Sequence, residues 1–370
     1  MEQLSFNDNY VNFTTIYSSP ESRPNSVDFF VKSTYTVIEF FSVILLTFGY
    51  VCNPISVAVM SRKPFRNTAM SVYLRFVAIC DTLTLTNGLV SMFRLSELGR
   101  DIFRDMNICC LYYWTLGVST KCSSWTLLAV TVERAISTAR PHKVKAMCSA
   151  ASAKVFVLLI VLLWGGVTMF VPFMLGHQNF TVPQTNITHT RICVLARTTP
   201  GTLFLNFFLD TAAYGIFPSV VLIICNVVII SSVIRSRNRV NKMFQRNRDH
   251  PKGILNRLKQ KLGAGNESVK KKPDNNGRSK EMSLTVTLVF INTSYVLCNL
   301  PVVLYQLYHN FKDERKITVR DNAVYMLLFL VMYFNNILNF LLYFITGSRF
   351  RHELINMFVD IVHCLKSTLC

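Results

Sequence analysis

Charge is scarce in this chain: Asp, Glu, Lys and Arg make up 16% of its 370 residues, against about 25% in ordinary soluble domains. The deficit argues against a soluble globule and for a membrane protein. No nucleophile elbow, phosphate loop or zinc-spaced set of His and Cys occurs, so an enzyme is not expected. Repeated half-structures and a file of charges along one path are missing as well, which counts against the main rival, a channel or transporter. The opening "MEQLSFNDNY" has neither a basic n-region nor an apolar h-region. No cleavable leader is therefore expected, and the first apolar run is expected to direct insertion.

Apolar residues, by contrast, make up 51% of the chain. They gather in long runs at roughly 35–60, 68–93, 106–139, 151–176, 202–234, 282–308 and 323–345. A hydrocarbon core about 30 Å thick needs about 20 such residues per helix. Each run must be helical, because lipid offers backbone N–H and C=O groups no partners. The expected fold is an all-α membrane protein, a seven-helix bundle. Residues 1–34 form an outer tail, 35–345 the bundle, 235–280 a basic inner loop, and 346–370 an amphipathic helix and tail. In that last segment Phe350, Leu354, Met357, Phe358, Ile361 and Leu365 recur at helical spacing, as in a helix lying on the inner leaflet. Disorder is expected before about residue 27 and over about 238–279, where apolar periodicity is interrupted.

The formal net charge of +19 would suggest nucleic acid in a soluble protein. Here 15 of the 39 Lys and Arg lie in residues 235–280, with Phe244 as the one aromatic among them. That pattern fits a cytoplasmic loop beside anionic lipid, where each basic residue gains about 1 kcal/mol. The loops on that side carry 25 basic residues and those opposite carry 11, which places the amino terminus outside and the carboxyl terminus in the cytoplasm. Without the long loop the bias vanishes, so the glycosylation sequons at Asn12, Asn179 and Asn186, all on the less basic side, supply a second marker. Two more, at Asn266 and Asn292, fall in the basic loop and inside a span and should stay unmodified. Most of the eleven cysteines lie within spans and read as small apolar packing. Cys109 or Cys110 and the distant Cys193 face an oxidising compartment, where a disulfide persists. Cys364 and Cys370 follow the last span and are candidates for palmitoylation.

Ionisable residues inside spans are costly and mark function. They are Asp81, Lys121, Arg134 and Asp210, with Glu133 beside Arg134 at the inner edge of the third run. Around them stand Asn53 in "GYVCNP", Asp81 in "VAICD", Cys109 lying 25 residues before Arg134, "ERA" at Glu133 to Ala135, and Pro141. Trp164, Pro218 in "YGIFPSV", Pro301 in "CNLP" and "NNILNFLLY" from Asn335 to Tyr343 follow in order. In this the chain resembles the rhodopsin-like class of G-protein-coupled receptors over all seven runs.

The resemblance implies a plasma-membrane receptor that activates a heterotrimeric G protein when the sixth helix moves outward. Its switch would comprise Glu133, Arg134, Glu281, Pro218, Tyr295, Pro301, Asn339 and Tyr343, with Arg134 pairing to Glu133 and Glu281 in the closed state. It also implies an allosteric Na⁺ at Asp81, Ser123, Asn335 and Asn339, for which a metal-free hydrogen-bond network is the alternative; Ser119 shares a helix face with Ser123. No other cofactor is expected. Departures from the pattern are Asn299 for a tryptophan, Phe340 for a proline, Asn226 for a tyrosine and Ala135 for an aromatic residue.

Amine receptors of this kind carry an Asp where this chain has Leu116, and opsins a Schiff-base Lys where it has Tyr333. A peptide ligand is expected instead, under a hairpin lid pinned by Cys109 and Cys193. Candidate contacts are Arg94, Glu97, Trp114, Gln306, His309, Tyr325 and Tyr333. Lys121 and Asp210 are expected to neutralise each other at the pocket floor, because an unpaired charge there is expensive; a ligand carboxylate or amidated terminus would compete for one of them. Stretches such as "NTAMSVYLRFVAICDTLTL" are similar to invertebrate neuropeptide receptors of the FMRFamide-like and myosuppressin-like group. A chemosensory receptor of the same fold is the nearest alternative. No nucleic-acid partner is expected.

Overall fold

The computed structural model describes residues 25–93, 106–139, 149–181, 188–195, 199–249, 275–311 and 319–369. In chain order these form α1 (Asn25–Met60), α2 (Lys63–Arg66), α3 (Ala69–Phe93), α4 (Met106–Ala139), α5 (Ala150–Val167), α6 (Val171–Met174), the strands β1 (Leu175–Thr181) and β2 (Thr188–Leu195), and α7 (Pro200–Phe207). A π-helical segment (Phe208–Ile216) carries α7 directly into α8 (Phe217–Asp249), and α9 (Asn275–Phe311), α10 (Val319–Thr346) and α11 (Ser348–Leu369) complete the chain. Spans one to seven are α1, α3, α4, α5, the α7–α8 rod, α9 and α10.

Six of these helical rods, among the described residues, are long and apolar enough to cross a membrane by composition alone. α4 is not among them. It carries Lys121, Glu133, Arg134 and a run of Ser and Thr, and it touches α3, α5, α8, α9 and the π segment. Protein rather than lipid covers most of this helix, so its polar side chains find partners inside the bundle. At the other extreme, α5 leaves Val155, Phe156, Leu158, Leu159, Leu162 and Leu163 exposed as a lipid-facing surface.

Two packed layers hold the spans together. The inner one joins Val59, Tyr73, Leu127, Val130, Leu222, Leu288, Ile291 and Phe350. The outer one joins Ile38, Leu45, Leu85, Leu89, Val302, Met326 and Ile337. α1 shows how sequence directs this packing: Val31, Ile38, Leu45, Cys52 and Val59 recur every seventh residue and are all buried. In lipid such a seam gains from close van der Waals fit rather than from release of water.

Several boundaries differ from the sequence reading. α1 starts at Asn25, ten residues before the expected run, because Val31 and Thr34 extend its buried stripe outward. α8 continues to Asp249 and α9 begins at Asn275, so both ends of the segment expected to be disordered are helical. Nothing between Arg235 and Asp249 breaks a helix; the first proline is Pro251. The expected hairpin is present as the antiparallel pair β1 and β2, with Gly176 opposite Val194 and an irregularity before His177. After Gly347, α11 turns away and buries Phe350 and Leu354 against the bundle while Ile355, Phe358, Ile361, Val362 and Leu365 stay exposed.

Candidate functional site

Lys121, one of two charged side chains in the middle of the bundle with an opposite charge in reach, is 5% exposed and lies 2.7 Å from Asp210 Oδ1. Asp210 keeps 36% of its side chain exposed, so water and solutes reach the acid and not the base. The expected pairing is therefore present, with an asymmetry that sequence could not give. Asp210 sits on the π-helical segment, a geometry that is rare and found mostly at functional sites.

Pro218 follows two residues after that segment. Proline has no N–H, so in an α-helix the carbonyl four residues back, and in a π-helix the one five back, loses its donor. These are Tyr214 and Ala213, and neighbouring spans supply the missing donors. Trp125 Nε1 donates to Ala213 O at 3.0 Å, and Tyr295 donates to Tyr214 O at 2.9 Å. Ser124 Oγ adds a 3.4 Å bond to Tyr214 O and lies 2.9 Å from the Tyr295 hydroxyl. The Tyr214 side chain in turn donates to Asn299 Oδ1 at 2.8 Å, and Asn299 Nδ2 donates to Tyr295 O at 2.8 Å. The asparagine in the usual tryptophan place thus joins a hydrogen-bonded layer across the third, fifth and sixth spans. Pro301, two residues on, lies exposed inside α9.

Asp81 has no exposure. Ser123 donates to its Oδ1 at 2.7 Å and Asn339 Nδ2 to its Oδ2 at 2.8 Å. Asn335 and Asn339 are buried, and the Oδ1 of each lacks a hydrogen-bond partner among the described residues, as does Asn53 Nδ2. Ser119 is engaged elsewhere, accepting from Thr84 at 2.9 Å. A carboxylate, a hydroxyl and two unpartnered amide oxygens are hard donors and fit a small hard cation. Among the described residues no group of three or more His, Cys, Asp and Glu suits a transition metal.

At the inner edge the expected pairing of Glu133 with Arg134 is absent: no ion pair joins them, and Arg134 Nε is buried without a hydrogen-bond partner among the described residues. Neighbours in sequence point away from each other around a helix, which is why they do not meet. Glu281 lies on α9, and its side chain is outside the described residues. One turn above Arg134, Thr131 instead bonds to Asn292 and Asn292 to Asn226. Tyr343 is buried, with its ring 5.5 Å from that of Phe350.

Toward the outer mouth, Tyr325, Phe329 and Tyr333 repeat every four residues on α10 and form a column, edge to face between the first two and stacked between the last two, extended onto α9 by Tyr305. Gly88 is required beside that column, since a methyl there would run into the Tyr333 ring. The column leaves Tyr333 4% exposed, within the outer packed layer. Trp114 Nε1 donates to Gly165 O at 3.1 Å, tying the third span to the fourth. Gln306 is half-buried on α9. Arg94 and Glu97, and the side chain of His309, lie outside the described residues. Cys109 is disulfide-bonded and Cys110 free. The side chain of Cys193 is outside the described residues, though β2, which carries it, packs on α4. Asn12, Asn186 and Asn266, and the side chain of Asn179, are likewise outside them; Asn292 has no exposure. Cys364 is exposed on α11.

Sequence reasoning missed Tyr214, Trp125, Asn226 and Asn292 as bonding partners. A proline inside an apolar run, with the two carbonyls it must orphan, was the available signal. Residues 52–343 match the family described as 7 transmembrane receptor (rhodopsin family). No curated protein matches the chain.

Proposed function

The chain belongs to the rhodopsin family of seven-transmembrane receptors, and we propose that it binds an extracellular peptide and activates a heterotrimeric G protein by outward movement of α9. The observation that carries the peptide reading is the half-exposed Asp210 held against buried Lys121. A mid-depth carboxylate with one oxygen open invites a donor-rich or cationic ligand group, so the amidated terminus expected above suits this floor better than a carboxylate. The β1–β2 hairpin packs through β2 on α4, the helix that carries the disulfide-bonded Cys109, and serves in this reading as the lid, with Cys193 as the proposed partner of Cys109. With Leu116 at that position, the outer half of the third span offers no acid to a simple amine.

Activation must part the spans that Tyr295, Asn299 and Tyr214 join, and Arg134, partly buried, lies nearer the inner end of the third span, where a cytosolic partner would enter. A ligand drives that opening only by binding the open state more tightly. Na⁺, when bound, would neutralise Asp81 and favour the closed arrangement, with Ser123, Asn335 and Asn339 as further oxygen donors. The amino-terminal side is assigned to the outside, with glycans at Asn12, Asn179 and Asn186 and palmitate at Cys364. The receptor is assigned to the plasma membrane, and resemblance to the FMRFamide-like and myosuppressin-like group narrows the ligand to a neuropeptide.

A second-messenger screen of a neuropeptide library on cells expressing the chain tests the reading. At least one peptide should give a saturable response that Arg134→Ala abolishes. A response that survives Arg134→Ala, or a library without any active member, refutes it.

A further inference from the structure

Asn292 has no solvent exposure and lies where α9 packs against α4 and α8. Its Oδ1 accepts from Thr131 Oγ1 at 3.0 Å, and its Nδ2 donates to Asn226 Oδ1 at 2.8 Å. Asn226 Nδ2 reaches back to Val289 O on α9 at 3.5 Å. Thr131 is fully buried and Asn226 is 9% exposed. Three side chains from three spans therefore satisfy one another at a depth where lipid satisfies nothing. An isolated asparagine in an apolar run would otherwise carry an unpaired amide into the membrane core.

The cluster is also reversible by construction. Thr131 shares its hydroxyl hydrogen between Asn292 and the Leu127 carbonyl of its own helix, 2.7 Å away. When α9 leaves, the hydroxyl falls back on Leu127 and α4 strands no donor. Nothing in the cluster is ionised, so opening it creates no bare charge. Among the described residues, the buried Arg134 Nε one turn below has no partner that would do the same work.

We propose that Asn292, through Thr131 and Asn226, is a charge-free latch that sets the resting position of the sixth span. The latch presupposes the reading above that outward movement of α9 is the activating step. Being neutral, it should hold equally at low and high ionic strength, unlike an ion pair at the water's edge.

Thr131→Val and Asn292→Leu keep the branching of each side chain, the first also its volume, and remove the bonding atoms. With surface expression matched, ligand-free second-messenger output should rise about three- to tenfold, the population change that interhelical hydrogen bonds of this kind support in bilayers. Thr131→Ser keeps the hydroxyl and should stay at the parental level. The double variant should add little to Asn292→Leu, since both changes remove one shared bond. Spin labels at Ile136 and Val286, both exposed, report the α4–α9 separation in purified receptor without any G protein; Asn292→Leu should lengthen it. Unchanged output together with unchanged separation in both variants overturns the latch. A lengthened separation with silent output upholds the latch and refutes instead the assignment of opening to G-protein activation. Should Asn292→Leu fail to reach the surface, the isosteric Thr131→Val decides by the same two readouts.

Discussion

The outer and inner halves of the contact among the third, fifth and sixth spans are joined by different chemistry. Outside, Lys121 and Asp210 make an ion pair at 2.7 Å. Inside, Thr131, Asn226 and Asn292 make neutral hydrogen bonds at 2.8 to 3.0 Å. A buried charge must stay paired in every state of the protein, because stripping its partner costs several kcal/mol. A neutral amide bond in a bilayer is worth about 0.6–2 kcal/mol and can be exchanged during a swing. On the proposed reading, charge therefore suits the half where a ligand would supply a replacement partner, and amides suit the half that would open and close unaided.

The largest effect expected from breaking this division is at the charged end. Asp210→Asn strands an ammonium that is only 5% exposed, and the loss of thermal stability in detergent should approach the roughly 3–5 kcal/mol of a severed buried pair. Lys121→Met should cost less, since the remaining carboxylate is reached by water. Lys121→Met with Asp210→Leu should recover most of the stability but not the peptide response. Exchanging the two charges should do better than either single reversal; if it does not, direct pairing is unsupported.

The close packing of the outer aromatic column can be tested in the same way. Gly88→Ala places a methyl in the Tyr333 ring and should cost about 1–3 kcal/mol by overpacking, read as a lower melting temperature. Gly166, where a methyl meets nothing within 4 Å, provides the control, and its Ala variant should melt like the parent. Equal melting of the two variants would show the outer aromatic column to be loose rather than packed.

The spans and the Lys121–Asp210 pair were legible in the sequence for one reason: lipid makes every long apolar run a helix and every charge within it an exception. Asn226, Asn292 and Tyr214 were harder to read. A single Asn or Tyr in an apolar run is unremarkable, and its partner depends on helix rotation, which the π-helical segment resets midway along the fifth span. Hydrogen-bond register leaves no mark in hydrophobic periodicity. Pro218 did carry the information, because the chemistry of proline fixes which carbonyls lose their donors. The Glu133–Arg134 pair that the resemblance implies is not formed here, where adjacent side chains do not face each other around the helix.

The layer between the two halves should respond in an intermediate way. Tyr295→Phe removes the donor to Tyr214 O and leaves the 3.4 Å bond from Ser124 as its replacement. The expected loss is about 1 kcal/mol of stability, with a smaller rise in basal output than Asn292→Leu gives. A rise as large as that of Asn292→Leu would move the resting latch up to the Pro218 layer.

The smallest effect belongs to the charges at the water's edge. Arg62 reaches Glu353 at 3.1 Å and Asp360 at 2.7 Å on α11, while Arg349 donates to Pro64 O at 3.0 Å. Here both partners can trade each other for water, so the pairing orients α11 without holding it. Asp360→Asn, whose carboxylate is 63% exposed, should leave the melting curve unchanged, and Glu353→Gln, at 12% exposure, should lower it slightly at low salt and not at high salt. A salt-independent loss in Glu353→Gln would mean that the first inner loop and α11 are clasped as firmly as Lys121 and Asp210, and that ion pairing holds the inner rim after all.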